Sequence, residues 1–342
     1  MILDERETET SDQVKEDMKM LVETIKLYEG REDATLTAYV IAEKGELHAQ
    51  GKRPAVLICP GGAYMNCSDR EAEPVALKFA SMGYHAFVLR YSVYGEGDDC
   101  FPDLSKPLGP KAHCQFPNPM CEIGKAMLII REHAEVWAVD MARVAVCGFS
   151  AGAHNTAMYG VYWDKPIITE RLQTTKEMIR PAALILGYTL SDYIYMKDAA
   201  EISPDPMADG LFAASNTAFL GNAKPDEEKL LAVSPARLVT ENTPPTFLWA
   251  TSADELVPVQ HSLRMAHALA DHKVPFEMHI FEEGMHGLSV ATQASAGAKS
   301  QINADAAKWV ELAEVWLKKR FALELPEKLP FEEMIEQMKK GM

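Results

Sequence analysis

Short runs of apolar, β-forming residues recur along the chain, separated by longer stretches whose apolar positions return every three to four residues. The runs are Leu36 to Ala42, Ala55 to Cys59, Tyr84 to Arg90, Arg143 to Cys147, Ala182 to Leu186, Thr246 to Ala250 and Phe276 to Phe281. Continuous apolarity over so few residues fits strands buried on both faces. Helical spacing between them predicts helices over Arg70 to Met82, Met120 to Trp137, from Ala151 onward, Pro225 to Leu231, Val259 to His272 and Asn303 to Phe321. Gly83 closes the first of these. Ahead of the first strand, Val14, Met18, Leu21, Val22 and Ile25 share one helical face. A further helix is therefore expected over Asp12 to Tyr28, with Gly30 as its stop. A charged tail follows Pro326.

Strands alternating with helices imply parallel βαβ units and a sheet covered by helices on both faces. The expected class is α/β, with a mostly parallel central sheet. No repeat, low-complexity segment or interdomain linker interrupts the chain. Residues 1–342 thus read as one domain, with a core over about 35–320 and helical N- and C-terminal extensions. Those extensions would pack on the core or across a homo-oligomer interface. Two stretches break the rhythm, Ser92 to Pro119 and Leu190 to Gly221. Both read as irregular insertions, and both would lie over one edge of the sheet as a partial lid.

With 342 residues, 47% of them hydrophobic, the chain has material for a sizeable core. A formal net charge of -16 argues against nucleic acid and anionic membranes as partners, because both reward clusters of Lys and Arg. The acidic stretch Met1 to Asp12 lacks the basic and apolar regions of a secretory signal. No apolar stretch approaches the roughly 20 residues that cross a bilayer. A cytoplasmic location is expected. Cys59 and Cys147 end predicted strands, where a free thiol acts as a small hydrophobe. Cys100, His113, Cys114 and Cys121 share the first insertion, but their spacing matches no common zinc motif. Reduced thiols and no metal are expected.

The chemistry begins at Gly148-Phe149-Ser150-Ala151-Gly152, placed between a predicted strand and a predicted helix. In that setting G-x-S-x-G forms a nucleophile elbow, a strained turn that lifts the serine hydroxyl above a parallel sheet. A neutral hydroxyl is a poor nucleophile, so it needs a base, and the base needs an orienting acid. Asp254 follows the strand ending at Ala250, and His286 lies in the glycine-flanked loop after Phe281. Glu255 and Asp192 are rival acids. His154 sits one helical turn from the serine, a position for packing or hydrogen bonding behind the elbow. His261, His267 and His272 fall on a predicted helix and His279 within a strand, which leaves His286 as the base. Attack on a carbonyl creates an oxyanion that needs preorganised donors. The amide of Ala151 is one candidate. Gly62 and Ala63, in Pro60-Gly61-Gly62-Ala63-Tyr64, supply the others. Tyr64, Met65, Tyr188 and Tyr193 are candidates for the substrate wall.

These motifs together resemble the α/β-hydrolase superfamily, in the esterase and lipase group near acetyl esterases and acetyl-xylan-esterase-like carboxylesterases. The resemblance rests on the elbow extended to His154, on Ala253-Asp254-Glu255-Leu256-Val257-Pro258, on Gly284-Met285-His286-Gly287 and on the Pro60 to Tyr64 turn. It covers roughly residues 35–320. Such relatives usually carry His-Gly-Gly-Gly or Pro-Gly-Gly-Gly at that turn. Here Pro60 stands in place of the histidine and Ala63 in place of the third glycine. The alanine methyl narrows the approach and favours small acyl groups. The insertion from Ser92 to Pro119 is longer than the usual connection.

The resemblance implies a serine carboxylesterase acting on short, chiefly acetyl, esters of sugars or xylo-oligosaccharides through an acyl-enzyme. It implies no cofactor. A prolyl-oligopeptidase-type peptidase shares the order Ser, acid, His but usually carries an N-terminal propeller, for which residues 1–54 are too short. A non-catalytic binding protein on this scaffold generally lacks a triad member, and here all three positions are filled.

Overall fold

A computed structural model describes residues 20–42, 51–95, 101–104, 106, 108–202, 205–323 and 325–340. The apolar runs are the strands of one sheet. In chain order these are β1 (Met20–Lys26), β2 (Thr35–Ile41), β3 (Arg53–Cys59), β4 (His85–Arg90), β5 (Val139–Phe149), β6 (Ala183–Gly187), β7 (Thr246–Thr251) and β8 (Phe276–Phe281). Their order across the sheet is β1-β2-β4-β3-β5-β6-β7-β8. From β4 across to β8 all neighbours run parallel, whereas β2 is antiparallel to both β1 and β4.

Helices cover both faces, as the apolar strands require. The helices of six residues or more are α1 (Glu73–Ser81), α2 (Asn118–Glu132), α3 (Ala151–Tyr162), α4 (Tyr193–Ile202), α5 (Pro206–Leu220), α6 (Glu227–Ala232), α7 (Gln260–Asp271), α8 (Trp309–Phe321) and α9 (Pro330–Lys340), of which α1, α2, α3, α7 and α8 pack on the sheet. Along β3, Ala55, Leu57 and Cys59 pack in the layer containing α2, α3 and α7, while Val56 and Ile58 pack in the layer containing α1 and α8. The period of two is thus present, but both sides are apolar because both are buried. Trp309 of α8 stacks on Trp249 of β7 with ring centroids 5.1 Å apart. Such a pair adds about 1 kcal/mol to the area it buries.

Two expectations are corrected. The helix expected over Asp12 to Tyr28 is a strand where it is described: Met20 to Lys26 pairs residue for residue with Ile41 to Thr35. Residues 12–19 lie outside the described residues. The segment Leu21-Val22-Glu23-Thr24-Ile25 is rich in β-branched side chains, and its ladder covers the edge that β2 would otherwise expose. The segment from Leu190 to Gly221 is not irregular but contains α4 and α5. The Asp205 side chain caps α5 by accepting from the amides of Met207 and Ala208, and Gly221 ends it in the left-handed region at φ 75°. The charged tail includes α9.

Where it is described, the first insertion lies behind the second. The amide of Phe116 donates to the carbonyl of Phe219 at 2.8 Å, and the Cys114 thiol donates to the carbonyl of Ala218. Cys59, Cys67, Cys114, Cys121 and Cys147 are free and buried, whereas Cys100 lies outside the described residues. Burial pushes the Cys114 and Cys121 thiols up to about 11. Among the described residues no His, Cys, Asp and Glu side chains group as a metal site, and no helix is long and apolar enough to cross a membrane.

Candidate active site

The strand order reverses around β3, which has β4 on one side and β5 on the other. In open α/β sheets this is where a crevice opens at the carboxyl ends of the strands. Pro60 follows β3 there, and Ser150 follows β5. Ser150 has φ 52° and ψ -122°, a backbone conformation that costs of order 1–3 kcal/mol for a residue with a side chain. Its amide donates to the carbonyl of Gly187 at 3.0 Å, which fixes the turn against β6. The flanking glycines are required by contact. A Cβ on Gly152 would lie 2.1 Å from the Cys59 carbonyl oxygen, and one on Gly148 would lie 2.2 Å from the Gly152 carbonyl oxygen. The elbow closes only because both Cβ atoms are absent.

The structure brings Ser150, His286 and Asp254 together. The Ser150 Oγ lies 2.8 Å from His286 Nε2, and His286 Nδ1 lies 2.7 Å from Asp254 Oδ2. The arrangement has the serine hydroxyl donating to Nε2 and the Nδ1 proton donated to the carboxylate. Asp254 Oδ1 accepts from the amides of Leu256 and Val257 at 3.0 and 2.9 Å. Asp254 is buried, so these bonds fix its carboxylate plane. The rival acids stand elsewhere. Glu255 is exposed, and Asp192 is engaged by Arg237 Nε at 2.8 Å, an ion pair that holds its carboxyl below the usual range despite burial.

The turn after β3 presents two free donors. The Gly61 amide donates to Glu71 Oε2 at 2.7 Å, but among the described residues the amides of Gly62, Ala63 and Ala151 donate to no protein acceptor. Three N–H groups without a protein acceptor thus accompany Ser150. Gly62 has φ 130°, and Ala63 and Tyr64 follow in the left-handed region at 55° and 59°. This strained sequence is tied down by its neighbours. The Met65 amide bonds back to the Gly62 carbonyl, and the Tyr94 amide bonds to the Tyr64 carbonyl, both at 2.9 Å.

Beside Ser150 is a cavity of about 40 Å³, lined by Ala63, Ala151, Tyr193, Leu211, Phe212 and Leu256 among others. Tyr64 forms part of its wall with Tyr193. Met65 and Tyr188 do not line it and are corrected here. Met65 is fully buried in the core, and the Tyr188 ring packs edge-on to His286 with centroids 5.0 Å apart. Tyr193 of α4 and Leu211, Phe212 and Ser215 of α5 line the cavity together with Leu190, Leu256 and Val257 from loops. The described residues of the first insertion do not line the cavity, and Phe116 packs against Phe219.

Supporting residues went unseen in the sequence. Buried Glu71 accepts from the Tyr188 hydroxyl through Oε1 at 2.5 Å, and the Ser289 amide donates to that same hydroxyl at 3.0 Å. One carboxylate therefore connects the oxyanion turn with the loop carrying His286. Burial and the Glu71 charge hold the Tyr188 phenol well above its usual range, so it remains a donor. Arg70 donates to the carbonyls of Gly287 and Ser295, which steadies the same loop. Two adjacent charged residues at the entry to a buried helix were the available signal. His154 lies behind the elbow as expected. Its Nε2 donates to the Val233 carbonyl at 2.8 Å, leaving Nδ1 to accept from the Tyr64 hydroxyl at 2.6 Å. Burial lowers its pKa to about 4, so the ring is neutral.

A mostly parallel sheet, a serine on a strained strand-to-helix turn, and an acid and a histidine on later strand ends define the α/β-hydrolase class. The chain belongs to this family. MGS-M1, an α/β-hydrolase enzyme from a Medee basin deep-sea metagenome library, is 30% identical and superposes with a TM-score of 0.64 over 89% of this chain and 99% of that one. The acetyl ester-xyloside bifunctional hydrolase from Caldicellulosiruptor lactoaceticus is 29% identical, with a TM-score of 0.64 over 87% of this chain and 96% of that one. The BD-FAE family model matches residues 110–269. Endo-1,4-beta-xylanase B of Butyrivibrio fibrisolvens is 32% identical over 243 residues, 70% of this chain and 33% of that protein. The chain spans about a third to a half of the length of the curated relatives it matches.

Proposed function

We propose that the chain is a serine carboxylesterase that removes short acyl groups, chiefly acetyl, from sugars or xylo-oligosaccharides. The carrying observation is the hydrogen-bonded series Ser150, His286, Asp254 beside three unpartnered amides. Ser150 Oγ attacks the ester carbonyl as His286 Nε2 takes its proton. The carbonyl oxygen, now an anion, accepts from Gly62, Ala63 and Ala151. His286 returns the proton to the departing alkoxide, which leaves an acyl-serine. A water molecule then gives its proton to His286 and attacks the acyl carbon, releasing the carboxylic acid and the serine.

The two sides of the ester follow from the same geometry. The leaving oxygen must face His286 Nε2, so the alcohol exits on the histidine side. The cavity beside Ser150 is not lined by His286, and it receives the acyl group. About 40 Å³ suits an acetyl group and little more. The names of the xylanase and the acetyl ester-xyloside hydrolase support a carbohydrate as the alcohol.

Ser150→Ala should lower p-nitrophenyl acetate turnover by at least about 10⁴-fold and abolish labelling by a fluorophosphonate probe. Near wild-type turnover would sink the mechanism. In the wild-type protein acetate esters should be cleaved faster than octanoate esters, and the reverse order would remove the narrow acyl cavity.

A further inference from the structure

The small cavity beside Ser150 has a much larger neighbour. On the outer side of α4 and α5 lies a second cavity of about 480 Å³, lined by Met196, Ala200, Ala213 and Leu230 among others, with Lys197 and Glu201 contributing to its polar lining. Tyr193 and Phe212 belong to both cavities and form the partition between them. The helical period explains why. Along α5, Leu211 and Ser215 line the inner cavity, whereas Asp209, Ala213 and Asn216 line the outer one. Phe212 falls on the seam.

The two partition residues are held differently. Tyr193 is buried, its amide donates to Ser234 Oγ at 2.9 Å, and its ring packs on His154 with centroids 5.0 Å apart. Phe212 is half-buried, and among the described residues it stacks on no other ring. Three and four residues away along α5 its neighbours are Ala208, Asp209, Ser215 and Asn216, all much smaller than its ring. A benzyl group with two soft torsions and one wall exposed can rotate without dismantling the helix.

We propose that Phe212 sets the acyl-length limit of this esterase, and that the outer cavity is a latent site for the hydrocarbon tail of a six- to eight-carbon acyl chain. This rests on the esterase reading above. With the ring in place, an acyl chain ends against it after about two carbons. With the ring removed, the inner and outer cavities join, and a longer chain runs between α4 and α5 onto an apolar surface. The occupant is an acyl tail and not the alcohol, because His286, on whose side the alcohol leaves, lines neither cavity.

The test compares kcat/KM for p-nitrophenyl acetate and hexanoate in wild type, Phe212→Ala, and Phe212→Ala combined with Ala213→Phe. The ratio of the two substrates is read because it is independent of the fraction of active enzyme. Phe212→Ala should raise the hexanoate-to-acetate ratio by about tenfold or more, the scale on which hydrophobic pockets discriminate methylene groups. Ala213→Phe refills the outer cavity without lining the inner one and should return the ratio toward wild type. An unchanged ratio overturns the partition, and a raised ratio that Ala213→Phe fails to lower overturns the outer cavity as the destination. Phe212→Leu, which trims the ring and keeps an apolar residue, covers the case in which alanine unfolds the cap. Failure of the esterase reading is distinct, since wild type would then hydrolyse neither substrate.

Discussion

At the carboxyl ends of β3, β5, β7 and β8, the groups that bear on the reaction are fixed by contacts from the backbone or from buried side chains. The helices α4 and α5 contribute Tyr193, Leu211, Phe212 and Ser215 to the cavity beside Ser150. Ser150 is held by the Gly187 carbonyl, Asp254 by two amides, and the oxyanion turn by Glu71. Phe212, by contrast, has a half-buried ring and an empty cavity on its far side. The division suits the two tasks. Charge stabilisation needs donors that do not move during the reaction, whereas selecting an acyl group needs only shape, which a cap can change without disturbing the chemistry.

The sharpest way to break this contrast is at Asp254. Asp254→Asn keeps an oxygen for the Leu256 and Val257 amides but presents an amide N–H to the Nδ1 proton of His286. The ring must then adopt the other tautomer. Ester turnover should fall by about 10⁴-fold, with the urea unfolding midpoint little changed. A loss of less than tenfold in kcat would show that the carboxylate does not orient the base.

A smaller effect is expected where the cap is rooted. Besides His154, bonded to the Val233 carbonyl, His261 accepts from the amides of Ser191 and Asp192 at 3.3 Å, at the start of the α4 and α5 segment. Burial lowers His261 to about 3 and His154 to about 4. His85, on β4, is likewise lowered to about 4 by burial. In the unfolded chain each titrates near 6.5. Between about pH 6.5 and 4 the unfolded chain therefore binds protons that the folded chain refuses. These groups make stability fall as pH falls through that window, and they contribute no slope above it. The urea midpoint should decline on acidification from pH 7 to 4.5, and His261→Gln should make the decline shallower by one proton. An equal slope in that variant would contradict the assignment.

The smallest effect should come from the cap alone. Asp205→Ala removes the side chain that accepts from Met207 and Ala208, at a cost of about 1 kcal/mol. Amide exchange should quicken over 207–210 while β5 and α3 remain protected. Uniform acceleration across β5 as well would mean that cap and sheet open as one unit.

Much of the site was legible because its chemistry is local. The elbow is written in five consecutive residues, and Asp254 and His286 each follow a short apolar run that can only be a buried strand. The position of Gly62 and Ala63 was legible for the same reason, since Pro60 to Tyr64 is a small-residue turn at a strand end. What escaped was non-local or balanced between faces. Glu71 acts on residues 61 and 188, and no spacing in the chain links them. The segment over α4 and α5 read as irregular because its apolar residues serve the core, the inner cavity and the outer cavity at once, which blurs the helical period. Met20 to Lys26 read as helix because five apolar residues happened to share a helical face. The open edge of β2 decided otherwise.

The sequence by itself determined the strand and helix alternation, the elbow, and the order in which Ser150, Asp254 and His286 leave the sheet. Those features depend on side-chain volume, backbone freedom and burial within a few residues. Tertiary structure alone decided that Tyr188 and Met65 support the site without lining it, and that Glu71 joins the oxyanion turn to the histidine loop. It alone placed Phe212 between a cavity of about 40 Å³ and one of about 480 Å³. Empty space is bounded by residues distant in the chain, so no local pattern of side chains can specify its size.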